Sequence, residues 1–279
     1  MLPILLAGLT AVVWGTGDFC GGKATQRSSA LAVTVLSQVA ALPVLVVCVA
    51  LAGDPLPGAG AFARAVFAGV FGFIGILLLY QGLSRGAMAI FAPVTAVTAA
   101  VVPLLAGLLL ERRPAPLALV GAGCAVVAIG LVSLTGADTG REAVTPALIG
   151  LALAAGVAFG IFFVLLGRTG PDSGMWPLAG VRVGSIGLGL LALARTRTPL
   201  RVARPAVPWM LAAGSFDTLA NGTYLLATAG GLLSVIAPIA SLYPASTVVL
   251  ACLVDRERIR PVQLAGLGMA ATALVLTAA

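Results

Sequence analysis

About ten apolar runs, each close to the twenty residues that cross a bilayer as a helix, fill nearly all of this chain. They cover residues 2–21, 31–52, 62–84, 87–110, 115–135, 146–167, 175–195, 206–228, 231–254 and 261–278. The connectors between them leave no room for a soluble domain. Long unbroken apolar runs also lack the alternation of lipid-facing barrel strands. The expectation is an all-α polytopic membrane protein with ten transmembrane helices. Composition agrees, because only 9% of residues are charged, against about 25% in soluble domains, and so few cannot cover a water-facing surface. A net charge of +7 would suggest nucleic acid in a soluble protein. Here the basic residues sit mainly in connectors, with no aromatic-interleaved basic surface. The expected partner is the lipid bilayer, not nucleic acid.

The chain repeats itself at a spacing of 145 residues. Trp14-Gly15 returns as Phe159-Gly160, Lys23 as Arg168 and Gly86 as Gly231. Ala92-Pro93 returns as Ala237-Pro238, and Gly121 with Gly123 as Gly266 with Gly268. The repeat divides the chain into a first five-helix unit (1–135), a polar linker (136–145) and a second five-helix unit (146–279). Five is odd, so tandem copies enter the membrane in opposite directions. The expected architecture is therefore two inverted five-helix repeats related by an axis in the membrane plane, an arrangement suited to rocking around a shared site.

Breaks between runs carry turn chemistry. Gly53-Asp54-Pro55-Leu56-Pro57-Gly58, Glu111-Arg112-Arg113-Pro114 and Gly170-Pro171-Asp172-Ser173-Gly174 each combine helix stops with charge. Only Arg85-Gly86 separates runs three and four, and only Gly230-Gly231 separates runs eight and nine, which predicts tight hairpins at matching places. The loops after odd-numbered runs hold eleven basic residues: Lys23, Arg27, Arg85, Arg141, Arg195, Arg197, Arg201, Arg204, Arg256, Arg258 and Arg260. The other side holds Arg64, Arg112, Arg113 and Arg168. The positive-inside rule then places both termini outside the cytoplasm of a multi-pass cell-membrane protein. The first run has no basic n-region, so it reads as a retained spanning helix and not a signal peptide.

The chain has no histidine, which removes the commonest metal ligand and general base. Cys20, Cys48, Cys124 and Cys252 lie on four different runs and read as small hydrophobes. There is no GxxxxGK[ST] phosphate loop, so ATP-driven transport has no support. The expectation is a protein that is not an enzyme and needs no cofactor or metal.

An ionisable group at membrane depth is expensive unless it meets water, a partner or a substrate. Three residues qualify: Asp217 and Arg182 near the middle of runs eight and seven, and Asp18 near the end of run one. Asp217, Asn221 and Tyr224 fall on one helix face, which suits a cavity wall. Asp217 is the candidate for binding a cationic group or a coupling proton; the structural alternative is an ion pair with Arg182 that joins helices. Trp14 lies one turn before Asp18 and offers a face to a substrate or cation. Phe159, Tyr80, Ser241 and Tyr243 complete the candidate substrate- or proton-binding set. Pro93 and Pro238, early in runs four and nine, are candidate hinges. Lys23 and Arg168 read as interface anchors. Gly156-xxx-Gly160, Gly180-xxx-Gly184, Gly121-xxx-Ala125 and Gly266-xxx-Ala270 offer close-packing faces, the last two for a dimer or for intrachain packing.

Several strings resemble the drug/metabolite transporter superfamily with its paired EamA-type domains. These are Trp14-Gly15 in the first run, Gly86 to Pro93 followed by Glu111-Arg112, Pro116 and Gly121, and Gly231 to Pro238 followed by Glu257-Arg258, Pro261 and Gly266. The resemblance spans the chain. It implies ten helices, a central cavity lined by spans 1, 3, 4, 6, 8 and 9, and proton-driven alternating access for small metabolites such as amino acids or drugs. Asp18 after Trp14-Gly15, and Phe159 in place of the second tryptophan, depart from that pattern. The reading is a secondary transporter of a small organic solute, as monomer or homodimer; the alternative is a non-transporting receptor or assembly subunit on the same scaffold.

Overall fold

The computed structural model describes residues 1–26, 28–83, 88–111, 114–134, 145–255 and 260–278, with the side chains of 80–93, 171, 255 and 278 left aside. Its α-helices are α1 (Leu2–Thr25), α2 (Ala30–Ala40), α3 (Leu42–Ala52), α4 (Ala59–Leu83), α5 (Met88–Leu110), α6 (Pro116–Ser133), α7 (Pro146–Gly167), α8 (Pro177–Thr196), α9 (Val207–Gly230), α10 (Leu233–Ala240), α11 (Tyr243–Asp255) and α12 (Pro261–Ala278). No strand occurs among the described residues. Because α2 continues into α3 and α10 into α11, the twelve helices form ten rods.

Proline starts many of these helices. It occupies the first or second position of α1, α3, α6, α7, α8 and α9, where its missing N–H would find no intrahelical partner anyway. Thr145 caps α7 by accepting the Leu148 N–H at 3.3 Å. Gly53, at φ 63°, ends α3 in the left-handed conformation.

The second and ninth rods are broken. Ala41 separates α2 from α3 just before Leu42-Pro43, and Ser241-Leu242 separates α10 from α11 just before Tyr243-Pro244. Proline removes the N–H owed to the carbonyl four residues back and disfavours helical geometry at its predecessor. Pro238 lies inside α10, one turn ahead of that second break. Pro93 falls where no side chain is described. The break at Ala41 was not among the expected hinges.

Among the described residues, seven helices are long and apolar enough to cross a membrane, and the stretches Val94–Leu110 of α5 and Pro261–Thr277 of α12 are shorter apolar helices. α9 is long but absent from the seven. Asp217, Thr218, Asn221, Thr223, Tyr224 and Thr228 lower its hydropathy. Leu5, Leu51, Leu109 and Leu253 stand exposed on the outside of the bundle, as a lipid-facing surface requires and a soluble one avoids.

Glycine and alanine set the packing. α1 runs along α9, with the Thr10 hydroxyl donating to Thr223 at 2.8 Å. α4 runs along both α7 and α8, α5 along α7, and α1 along α10 and α11. Gly180 and Gly184 lie on α4 so closely that a methyl group on Gly184 would strike the Val66 carbonyl. Gly156 and Gly160 lie on α5 against Thr98 and Val102 in the same way. α6 packs on α12, where Gly121 faces Thr277 and Gly266 faces Val132. The small-residue faces of α6 and α12 are therefore filled by each other within one chain.

Consecutive rods run antiparallel. Both termini, the 53–58 connector, the 168–176 connector and Gly231-Leu232 thus share one end of the bundle, which we call the terminal side. Gly230 and Gly231 beside Pro3 fit this placement.

Candidate functional site

A cavity of about 110 Å³ opens between α1, α2, α4, α7, α8, α9 and α11, which is room for several waters or one small solute. Three charged side chains face it: Asp18, Arg182 and Asp217. A second cavity shares Trp14, Asp18, Gln38, Ile76 and Asp217 with the first and continues past Gly17, Gly21 and Thr34. The depression thus extends toward the side opposite the termini.

One polar wall is a network across α2, α8 and α9. Arg182, in the second turn of α8, is 2% exposed. Its Nη2 donates to Asp217 Oδ2 at 2.7 Å and to Thr218 Oγ1 at 2.7 Å, and its Nη1 donates to Gln38 Oε1. Ser185 donates to the same Gln38 oxygen at 3.1 Å. Asn221 Nδ2 donates to Asp217 Oδ2 at 3.2 Å, as a spacing of four on one helix allows. Asp217 keeps 30% of its side chain exposed toward the cavity. The Arg182 Nε and the Asn221 Oδ1 are buried and unpartnered among the described residues. A guanidinium at this depth needs the opposite charge, because an uncompensated ion there costs several kcal/mol.

The other wall is aromatic. Trp14 stacks at 5.1 Å on Phe163, 6.3 Å on Phe162 and 5.5 Å on Tyr224, measured between ring centres. Trp14, Phe159, Phe162, Phe163 and Tyr243 line the cavity. Gly72 and Gly75 on α4 leave the space that the Phe162 and Phe159 rings occupy.

The cavity therefore gathers Trp14, Asp18, Phe159, Arg182, Asp217, Asn221 and Tyr243 from five different rods. Three expectations need correction. Tyr224 shares the Asp217 face in sequence, but its ring is fully buried against Trp14 and Phe163 and its hydroxyl donates to the Phe163 carbonyl at 3.0 Å. The helix bundle closes over that end of the face. Ser241 is buried at the α10–α11 break and is not among the described residues that line the cavity. Asp18 is not near the end of its helix, because α1 runs on to Thr25. The side chain of Tyr80 lies outside the described residues. Lys23, near the end of α1, lies over the Phe19 ring at 5.5 Å.

Among the described residues, spans 2 and 7 line the cavity through Gln38, Arg182 and Ser185, and none from span 4, which the resemblance implied, does so. Gln38 and Ser185 were not anticipated. Gln38 did carry a signal, as the single amide in the mostly apolar run at 31–52. Ser185, one turn after Arg182, is indistinguishable in sequence from a serine bonded to its own helix.

The model of the EamA-like transporter family matches residues 1–134 and 147–279. This chain belongs to the EamA-like transporter family. It is a multi-pass membrane protein, and the drug/metabolite transporter resemblance in its sequence is consistent with the match. A search of curated proteins returns no match. A solved structure, titled only as a crystal structure of a protein, superposes with a TM-score of 0.80 at 15% identity, over 99% of this chain and 98% of the other. At that identity the likeness speaks for the fold alone.

Proposed function

We propose that this EamA-like protein is a secondary transporter that carries a small organic solute across the cell membrane by alternating access. The observation that carries the reading is the cavity itself. It holds charged and aromatic groups from both sequence repeats, deep in an apolar bundle, where such groups mark a solute pathway.

Reciprocal packing supports two five-helix halves, 1–135 and 146–279, of opposite orientation. Adding or subtracting 145 turns the α1–α9 pair into the α7–α4 pair, and the α5–α7 pair into the pair of α10–α11 with α1. It also turns Gly121 facing Thr277 into Gly266 facing Val132. Contacts exchanged in this way are what a two-fold relation between halves produces.

Two cross-half contacts support a closed terminal side. Asp54 accepts the Met175 N–H at 3.0 Å, while its own carbonyl accepts from Trp176 Nε1 at 3.0 Å. Gly174 leaves the space for the Asp54 carboxylate. Glu111 accepts the Leu233 N–H at 2.8 Å, at the start of α10. Each latch sets a carboxylate of the first half at a helix N-terminus of the second, where the exposed N–H groups and the dipole favour it. With the cavity extending toward the opposite side, this is one of the two states that alternating access requires. By the positive-inside rule the opposite side is cytoplasmic and the termini lie outside. The proton gradient is the driving force we propose, with Asp18 and Asp217 as the carboxylates that face the cavity.

Counterflow in liposomes reconstituted with purified protein tests the reading. Labelled solute should accumulate only in vesicles preloaded with the same solute unlabelled. Saturable binding with no flux would favour a receptor instead. Flux unaltered by an imposed pH gradient would remove the proton from the scheme and leave the transporter.

A further inference from the structure

We propose that the solute this cavity takes is an organic monocation with an apolar body, and that Asp18 is the residue that anchors it. The inference rests on the transport reading for the place of the site, and adds the chemistry of its ligand.

The charges around the cavity do not cancel. Arg182 and Asp217 neutralise each other at 2.7 Å. Both terminal nitrogens of the guanidinium are engaged as well, Nη2 on Asp217 and Thr218 and Nη1 on Gln38, and its unpartnered Nε is buried. It is 2% exposed and has no free face to offer an anionic ligand. Asp217 also holds Asn221. These groups form a closed set with zero net charge.

Asp18 is left over. Among the described residues no hydrogen bond or ion pair reaches its carboxylate, and its side chain is exposed. The exposure is toward the two connected cavities that it lines. Arg182 is the one cation among the described residues that share those cavities with it, and its guanidinium is bonded to Asp217, Thr218 and Gln38; Gln38, Ile76 and Tyr243 bring no positive charge. Gln38 already accepts from Arg182 and Ser185. The cavity therefore holds one acidic side chain with no counter-charge among the described residues.

The rest of the wall suits the same ligand. Trp14 lies one turn from Asp18 on α1, and Phe159 and Tyr243 lie around the same space. Aromatic faces are electronegative and attract ammonium groups, most strongly in places shielded from bulk water. Their apolar area favours a hydrocarbon body on the cation. An anion would meet the Asp18 charge, the ring faces and a guanidinium that is already occupied. A neutral isostere would leave the Asp18 carboxylate without a counter-charge.

Isothermal titration of the purified protein in detergent tests the proposal with three solutes of one shape and different charge: phenethylamine, 2-phenylethanol and phenylacetate. Phenethylamine should bind, with the alcohol and the carboxylate weaker by about tenfold or more, the difference one charge-assisted hydrogen bond makes. Benzyltrimethylammonium should compete with phenethylamine. Asp18→Asn should lower phenethylamine affinity by a similar factor, and Asp18→Glu should restore most of it. If Asp18→Asn does not elute as a single folded species, the charge series on the unaltered protein and Asp18→Glu decide the matter alone. Equal binding of the three solutes, a preference for phenylacetate, no binding of either amine, or full affinity in folded Asp18→Asn would each overturn the assignment. Counterflow of phenethylamine is read separately. Binding without flux keeps the cation site and defeats the transporter reading, and flux of a neutral or anionic solute that ignores Asp18 does the reverse.

Discussion

Removing the two carboxylate latches should open the terminal side of the bundle. Asp54→Ala deletes the acceptor of the Met175 N–H but leaves the Asp54 carbonyl to Trp176. Glu111→Ala deletes the acceptor of the Leu233 N–H at 2.8 Å. A hydrogen bond to a charged group is worth about 1.5–3 kcal/mol. Both carboxylates are partly exposed, so the lower figure applies, and each loss shifts the closed-to-open ratio by roughly tenfold. The two latches share no partner, so their effects should add, to roughly a hundredfold in the double variant. A molecule closed about 100 to 1 would then be close to evenly divided. The assay is a distance distribution between spin labels at Leu56 and Ala229, exposed positions on opposite halves at the terminal side, in a background free of the four cysteines. The double variant should gain a longer-distance population, with each single variant in between. Asp172→Ala, which removes an exposed acid from the same side, serves as the control. A double variant whose distribution superposes on that of the parent would show that the latches do not hold this side shut.

Three further outcomes follow from the packing. Asp217→Ala should destabilise the detergent-solubilised protein by about 2–3 kcal/mol in chemical unfolding, below the usual cost of stranding a buried charge because Asp217 is 30% exposed. Replacing both Arg182 and Asp217 by leucine should recover most of that loss, and a double variant no more stable than the single one would rule out charge stranding as the cause. Gly184→Ala should cost about 1–3 kcal/mol, since its Cβ would strike the Val66 carbonyl, whereas Gly187→Ala, which meets nothing, should be neutral or gain up to about 1 kcal/mol. Tyr224→Phe should cost about 1 kcal/mol of stability through its bond to the Phe163 carbonyl and leave phenethylamine titrations unchanged; a loss of affinity would put Tyr224 back in the cavity wall.

Much of the site was legible because charge in lipid is conspicuous. Asp18, Arg182 and Asp217 stand out against runs of leucine, alanine and valine, and helical spacing alone pairs Trp14 with Asp18 and Asp217 with Asn221. The same spacing placed Tyr224 on the cavity face and erred. A helix face is continuous, but a cavity ends where neighbouring rods converge, and the Trp14 and Phe163 rings close it below Tyr224. Gln38 went unread because an amide matters only through what it meets, and Arg182 lies 144 positions away. The break at Ala41 could have been taken from Pro43 by the argument applied to Pro238.

From sequence alone came the solvent, the element type and the repeat. Those depend on the cost of bare backbone in lipid and on residue spacing along one helix, and both are local quantities. Only the tertiary structure decided which charges cancel. Whether Arg182 pairs with Asp217 or Asp18 depends on how α1, α8 and α9 are arranged about one cavity, with glycines setting how closely the rods approach. Coulomb energy follows distance in space, which chain order does not give. Asp18 was left without a partner among the described residues at that step, and the ligand proposed for this cavity follows from it.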